Sequence, residues 1–77
     1  MILKQIPTYI DVWHDSESEC WWILLLDQME YQIGNGEHCY RKTDAVEIAK
    51  TIQMSLEEVR LKIRVFTRRQ ALQRIID

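Results

Sequence analysis

Only two glycines, one proline and two cysteines occur in 77 residues. With so few chain breakers there is no low-complexity tract and no interdomain linker, so the chain is one domain, and its core is marginal at this length. The cysteines, Cys20 and Cys39, share with His14 and His38 the side-chain types of a zinc site. No pair has the two-residue gap of a zinc knuckle, and the adjacent His38 and Cys39 point to opposite faces of a strand. No metal and no cofactor is therefore expected, and the thiols read as small, buried, apolar side chains. A glycine-rich phosphate loop is absent, because Gly34-Asn35-Gly36 has neither the length nor the lysine. Nothing organises a nucleophile, a base and an oxyanion site, which leaves a non-enzymatic protein as the expectation. The apolar run Trp21-Trp22-Ile23-Leu24-Leu25-Leu26 stops at Asp27, far short of the roughly 18 residues of a membrane span. The opening residues, Met1 to Pro7, lack the apolar stretch of a secretory signal, so no membrane partner and cytoplasmic residence are expected.

What is present begins with alternation. Thr8-Tyr9-Ile10-Asp11-Val12-Trp13-His14 puts Ile10 and Val12 on one face and Tyr9, Asp11 and Trp13 on the other, which predicts a strand. Cys20 to Leu26 is apolar on both faces, as suits a strand covered on both sides. Met29, Tyr31 and Ile33 alternate as a third strand, Gly34-Asn35-Gly36 reads as its turn, and residues 37–42 as a short fourth strand. Thr43 or Asp44 is a candidate helix N-cap. The expected fold is α+β, an antiparallel meander of three or four strands (residues 1–42) followed by a helical hairpin with a long last helix (residues 43–77).

The hairpin rests on residues 44–66. Ala49 between Ile48 and Ile52 supplies a small residue for a helix crossing, Met54-Ser55 a plug and cap, and Val59, Ile63 and Phe66 recur at helical steps. Glu47-Ile48-Ala49, Ile52, Met54-Ser55, Val59, Ile63 and Phe66 thereby resemble the helix-turn-helix of response-regulator effector domains, and that resemblance implies DNA binding. The strand, strand and Thr-capped helix before it are similar, more generically, to the three-stranded arm-binding domains of phage integrases, which bind DNA through the sheet. Glu57 and Glu58, however, stand where a recognition helix would meet phosphates. On a continuous last helix Leu61, Val65, Leu72, Ile75 and Ile76 form a second apolar stripe, which predicts a homodimer seam.

Charge is segregated along the chain. Residues 1–40 carry one base, Lys4, against seven acids, whereas residues 41–77 carry nine bases against five acids. A basic protein surface is the natural partner of the first half and nucleic acid of the second. Three tryptophans fall within ten residues, and Trp21 and Trp22 must face opposite sides of their strand, which leaves one of them for a partner. The leading expectation is a small regulatory or inhibitory protein, of the kind carried by phages and mobile elements. It would dock on a larger protein through Trp13, Trp21, Trp22, Asp11, Glu17 and Glu19. The alternative is a DNA-binding regulator using Arg60, Lys62, Arg64, Arg68 and Arg69.

Overall fold

A computed structural model describes residues 4–66. Three strands follow one another, β1 (Pro7–Asp15), β2 (Cys20–Asp27) and β3 (Gln32–Cys39), then helix α1 (Lys42–Ser55) and a fourth strand β4 (Lys62–Phe66). They form one four-stranded sheet in the order β3-β2-β1-β4. β1, β2 and β3 are an antiparallel meander, but β4 lies parallel to β1 on its other side. A parallel pair needs a crossover connection, and α1 is that connection, carrying the chain from the β3 edge to the β4 edge across one face.

Alternation decides which side chains meet the helix. Ile10 and Val12 of β1 and Ile23 of β2 are fully or nearly fully buried with Ala45, Ala49 and Leu61. Ala45 and Ala49, one helical turn apart, have no side chain beyond Cβ, so the helix settles close on the strands. Ile48, Ile52 and Leu56 flank them, and Ile63 packs in from β4. Gln53 fastens the helix end to the last strand through its amide, which donates to the Leu61 carbonyl at 2.9 Å.

Two turns are built by polar side chains. Asp27 Oδ1 accepts from the Met29 and Tyr31 amides, both at 2.9 Å, closing the β2–β3 connection, where Glu30 has φ of +65°. Asp15 Oδ1 accepts from the Glu17 amide and Asp15 Oδ2 from the Ser18 hydroxyl, at 3.0 and 2.9 Å, shaping the β1–β2 turn.

The expected helical hairpin is not formed. Residues 62–66 are a strand, so α1 is the only helix among the described residues and the long last helix is replaced by β4. The physical reason is the spacing of Leu61, Ile63 and Val65. On a helix Ile63 lies opposite Leu61 and Val65, yet the three recur at every second position, and Ile63 and Val65 are β-branched, so all three fall on one face of a strand. Ala49 keeps its role as the small residue at a crossing, but it crosses the sheet. Met54, the expected plug, is 75% exposed. The meander also differs in detail. Residues 28–30 are turn, and Gly34-Asn35-Gly36 lies inside β3 as an irregularity, because Ile23 pairs with Glu37 and Leu25 with Ile33. Both glycines do adopt φ of +77°, so the turn-forming backbone is present without a chain reversal. The helix begins at Lys42 with Arg41 at the N-cap position, two residues before Thr43 and three before Asp44, the two expected caps.

Candidate functional site

Helix α1 covers one face of the sheet, and among the described residues no element lies against the other. The register fixes what that second face carries. Lys62 pairs with Tyr9, and Leu26 joins Tyr9 to Gln32, which makes the first cross-strand row. Arg64, Asp11 and Leu24 make the second. Phe66, Trp13, Trp22 and His38 make the third, one aromatic ring from each of the four strands. Trp22 and His38 are 5.0 Å apart between ring centroids, and Tyr40 meets His38 edge-on at 6.4 Å. Trp13, Trp22 and Phe66 are each half-buried, so the row has rings resting on neighbours and faces left to solvent.

The second row holds the charge. Arg64 Nε and Nη2 donate to the two oxygens of Asp11 at 2.7 and 2.9 Å, and Nη1 lies 2.8 Å from Glu30 Oε1. The same guanidinium sits 4.0 Å from the Tyr9 ring centroid and 5.7 Å from that of Phe66. Burial works against the charged form of Arg64, but the hydrogen bonds it donates to Asp11 and Glu30 outweigh it and raise the pKa. Arg64 is thus a fixed cation answered by two carboxylates.

Acids border the aromatic row. Asp15 follows Trp13 on the same face of β1, and Glu17 and Glu19 are exposed in the turn beyond it. The Ser18 hydroxyl and the Glu17 amide hold the Asp15 carboxyl below the usual carboxylate range, with a smaller pull from Trp22. Asp15 is consequently anionic at neutral pH, and the rim is negative. Gly36 lets β3 close on this face, since a Cβ there would stand 2.6 Å from Leu24 Cδ2.

The expected partner-binding residues divide. Trp13 and Trp22 share the aromatic row, with Glu17 and Glu19 beside it. Trp21 is on the helix face, packed against the core, 5.1 Å from the His14 ring and with the Lys42 ammonium 5.8 Å from its own ring centre. Asp11 is 4% exposed and engaged with Arg64, so it shapes the face from beneath. The helical stripe on which the homodimer seam was read is not formed among the described residues. Leu61 is a core residue and Val65 a strand residue paired with Val12, while Leu72, Ile75 and Ile76 lie outside the described residues. The basic set does not line a helix either. Arg60 precedes β4, Lys62 and Arg64 are on the strand, and Arg68 and Arg69 lie outside the described residues.

His14 and Cys39 are on the helix face and Cys20 and His38 on the other, so the four candidate metal ligands are split by the sheet. Among the described residues no three His, Cys, Asp or Glu side chains are grouped as a metal site. A groove of about 470 Å³ lies along α1 between Glu37, Asp44, Glu47, Ile48, Thr51 and Ile52. A second, of about 390 Å³, runs beside Pro7 and residues 55–59. No buried side-chain nitrogen or oxygen among the described residues lacks a partner, so neither groove receives an unpaired polar group.

Tyr9, His38 and Phe66 are not among the partner-binding residues expected from the sequence. The two-residue step Tyr9, Asp11, Trp13 did place three of the face's side chains together, but joining them to Phe66 requires a pairing between residues more than fifty positions apart. The arrangement defines a class, a single-layer sheet with one helix on one face and an aromatic row on the other. No family model matches this chain, and neither a curated protein nor a solved structure does.

Proposed function

We propose that this chain is a small non-enzymatic regulatory or inhibitory protein that docks on a protein partner through the sheet face opposite α1. The observation that carries the reading is the row Phe66, Trp13, Trp22 and His38, one ring per strand across the whole sheet. Aromatic rings bury about 150–250 Å² each and dominate the energy of interfaces where they anchor. Trp13, Trp22 and Phe66 are already half-buried and His38 is exposed, so the row supplies anchors and the surrounding polar rim the remainder of an interface. Charge favours protein over nucleic acid. Arg64 is answered by Asp11 and Glu30, which leaves Lys62 as the other base on this face among the described residues, while Asp15, Glu17 and Glu19 would repel phosphates at the rim. The seat is pre-shaped, since strands and cross-strand pairs hold the rings and little order has to be gained on binding.

The test is affinity capture from a lysate of the source cell with the full chain and with Trp13→Ser, each first shown to unfold at a comparable temperature. One protein retained by the parent and lost with Trp13→Ser is the expected result. An unchanged set of captured proteins would refute the reading, as would retention of nucleic acid in place of protein.

A further inference from the structure

The face already displays how it handles a cation. Arg64 stands over Tyr9, its Cζ 4.0 Å from the ring centroid, while its nitrogens bond the carboxylates of Asp11 and Glu30. A guanidinium is held there by a ring beneath it and acids around its edge, an arrangement that suits its planar, weakly hydrated shape. One row further along, Trp13 and Trp22 are paired across β1 and β2, with Asp15 following Trp13 and the exposed Glu17 and Glu19 beyond. Rings and carboxylates recur at that position, with tryptophan, the strongest cation-binding ring, in place of tyrosine.

We infer that the Trp13–Trp22 pair is a seat for an arginine side chain of the partner, stacked on indole and steered by the Asp15, Glu17 and Glu19 rim. This deepens the docking reading and rests on it, since it names the chemistry of the segment that the aromatic row receives. The occupant is an arginine-bearing protein segment. Lysine fits less well, because a compact, strongly hydrated ammonium gains less from a flat aromatic surface and cannot bond a carboxylate side-on.

The experiment is titration calorimetry of the full chain with nine-residue peptides of one sequence, containing either two arginines or two citrullines, which keep the shape and lose the charge. The arginine peptide is expected to bind at least tenfold more tightly. Trp13→Leu should weaken it by about tenfold or more, the scale of losing an aromatic anchor. Glu17→Gln with Glu19→Gln, both in an exposed turn, should weaken it about threefold and flatten its dependence on salt. Equal binding of the two peptides would overturn the proposal, as would tighter binding of a nine-nucleotide single strand. A concentration-dependent dimer that excludes the peptide would also overturn it, because a second copy would then own the row. If the arginine preference fails while capture still depends on Trp13, the seat is wrong and the docking face stands. If the preference holds and nothing is lost from the capture with Trp13→Ser, the docking function is wrong.

Discussion

Arg64 closes on Asp11 with two parallel hydrogen bonds, 2.7 Å from Nε to Oδ1 and 2.9 Å from Nη2 to Oδ2, between directly paired residues of β1 and β4. Asp11 is 4% exposed, so the pair is what makes a carboxylate tolerable in the sheet. Replacing Arg64 by leucine removes the two-bond partner of that carboxylate and should cost about 3 kcal/mol, the low end for a broken buried pair because Arg64 itself keeps some solvent contact. Asp11→Leu combined with Arg64→Met removes both charges and should recover stability to within about 1 kcal/mol of the parent. Urea titration of the two variants checks both values, and equal losses would show that packing, rather than charge, fixes β4.

That same pair explains why β4 was hidden from the sequence. β1, β2 and α1 were visible because their patterns are local. Tyr9, Asp11 and Trp13 alternate with Ile10 and Val12, residues 20–26 are apolar throughout, and Ala45, Ile48, Ala49 and Ile52 step at helical intervals. Residues 59–66 satisfy two periods at once. Val59, Ile63 and Phe66 fit a helix, and Leu61, Ile63 and Val65 fit a strand, over a window too short to separate them. The deciding term is non-local, since Asp11 gains its countercharge from a residue 53 positions away only if Arg64 lies on a strand beside β1. Gly34 and Gly36 show the converse. Their positive φ was legible as turn chemistry, but pairing with β2 on both sides kept the chain running in one direction. Trp13 and Trp22 were readable as candidate anchors for the same local reason, whereas the row they form with Phe66 and His38 depends on register.

Gly36 and Gly34 share a φ of +77° and differ in their surroundings. A methyl group at Gly36 would meet Leu24 Cδ2 at 2.6 Å and the Ile23 carbonyl at 3.3 Å, whereas at Gly34 nothing lies within 4 Å. Gly34→Ala should therefore cost only the backbone term, about 1 kcal/mol. Gly36→Ala should cost about 2–3 kcal/mol, because overpacking against β2 is added to it. Thermal unfolding of the two variants side by side measures the difference, and equal losses would remove the close approach of Leu24 from the account.

Ala49 has no exposed surface, and Met54 on the same helix is 75% exposed. Ala49→Leu has to lift α1 off Ile10, Val12 and Ile23, and should destabilise by about 1–3 kcal/mol. Met54→Ala removes a side chain that rests on solvent and should change stability by less than about 0.5 kcal/mol. A helical hairpin with Met54 as its plug makes the opposite forecast for Met54, so the ratio of the two losses discriminates between the architectures.

Asp15 governs how the β1–β2 turn responds to acid. Its carboxyl is held below the usual carboxylate range by the Ser18 hydroxyl and the Glu17 amide, so the folded chain binds the proton less readily than the unfolded chain does. Ionised Asp15 therefore contributes stability above the unfolded value of about 4, and that contribution is lost as pH falls through the lower folded value. Asp15→Asn and Ser18→Ala remove the ionisation and its main hydrogen bond respectively. The parent's advantage over Asp15→Asn should be constant from pH 5 to 8 and shrink below pH 4. In Ser18→Ala the Asp15 carboxyl, followed by NMR, should titrate at higher pH than in the parent. Arg64 adds no pH dependence in this window, because its pKa is raised and its charge is complete throughout. An advantage over Asp15→Asn that grows on acidification would reverse the sign and dismiss Asp15 as the anion that orders the rim beside Trp13 and Trp22.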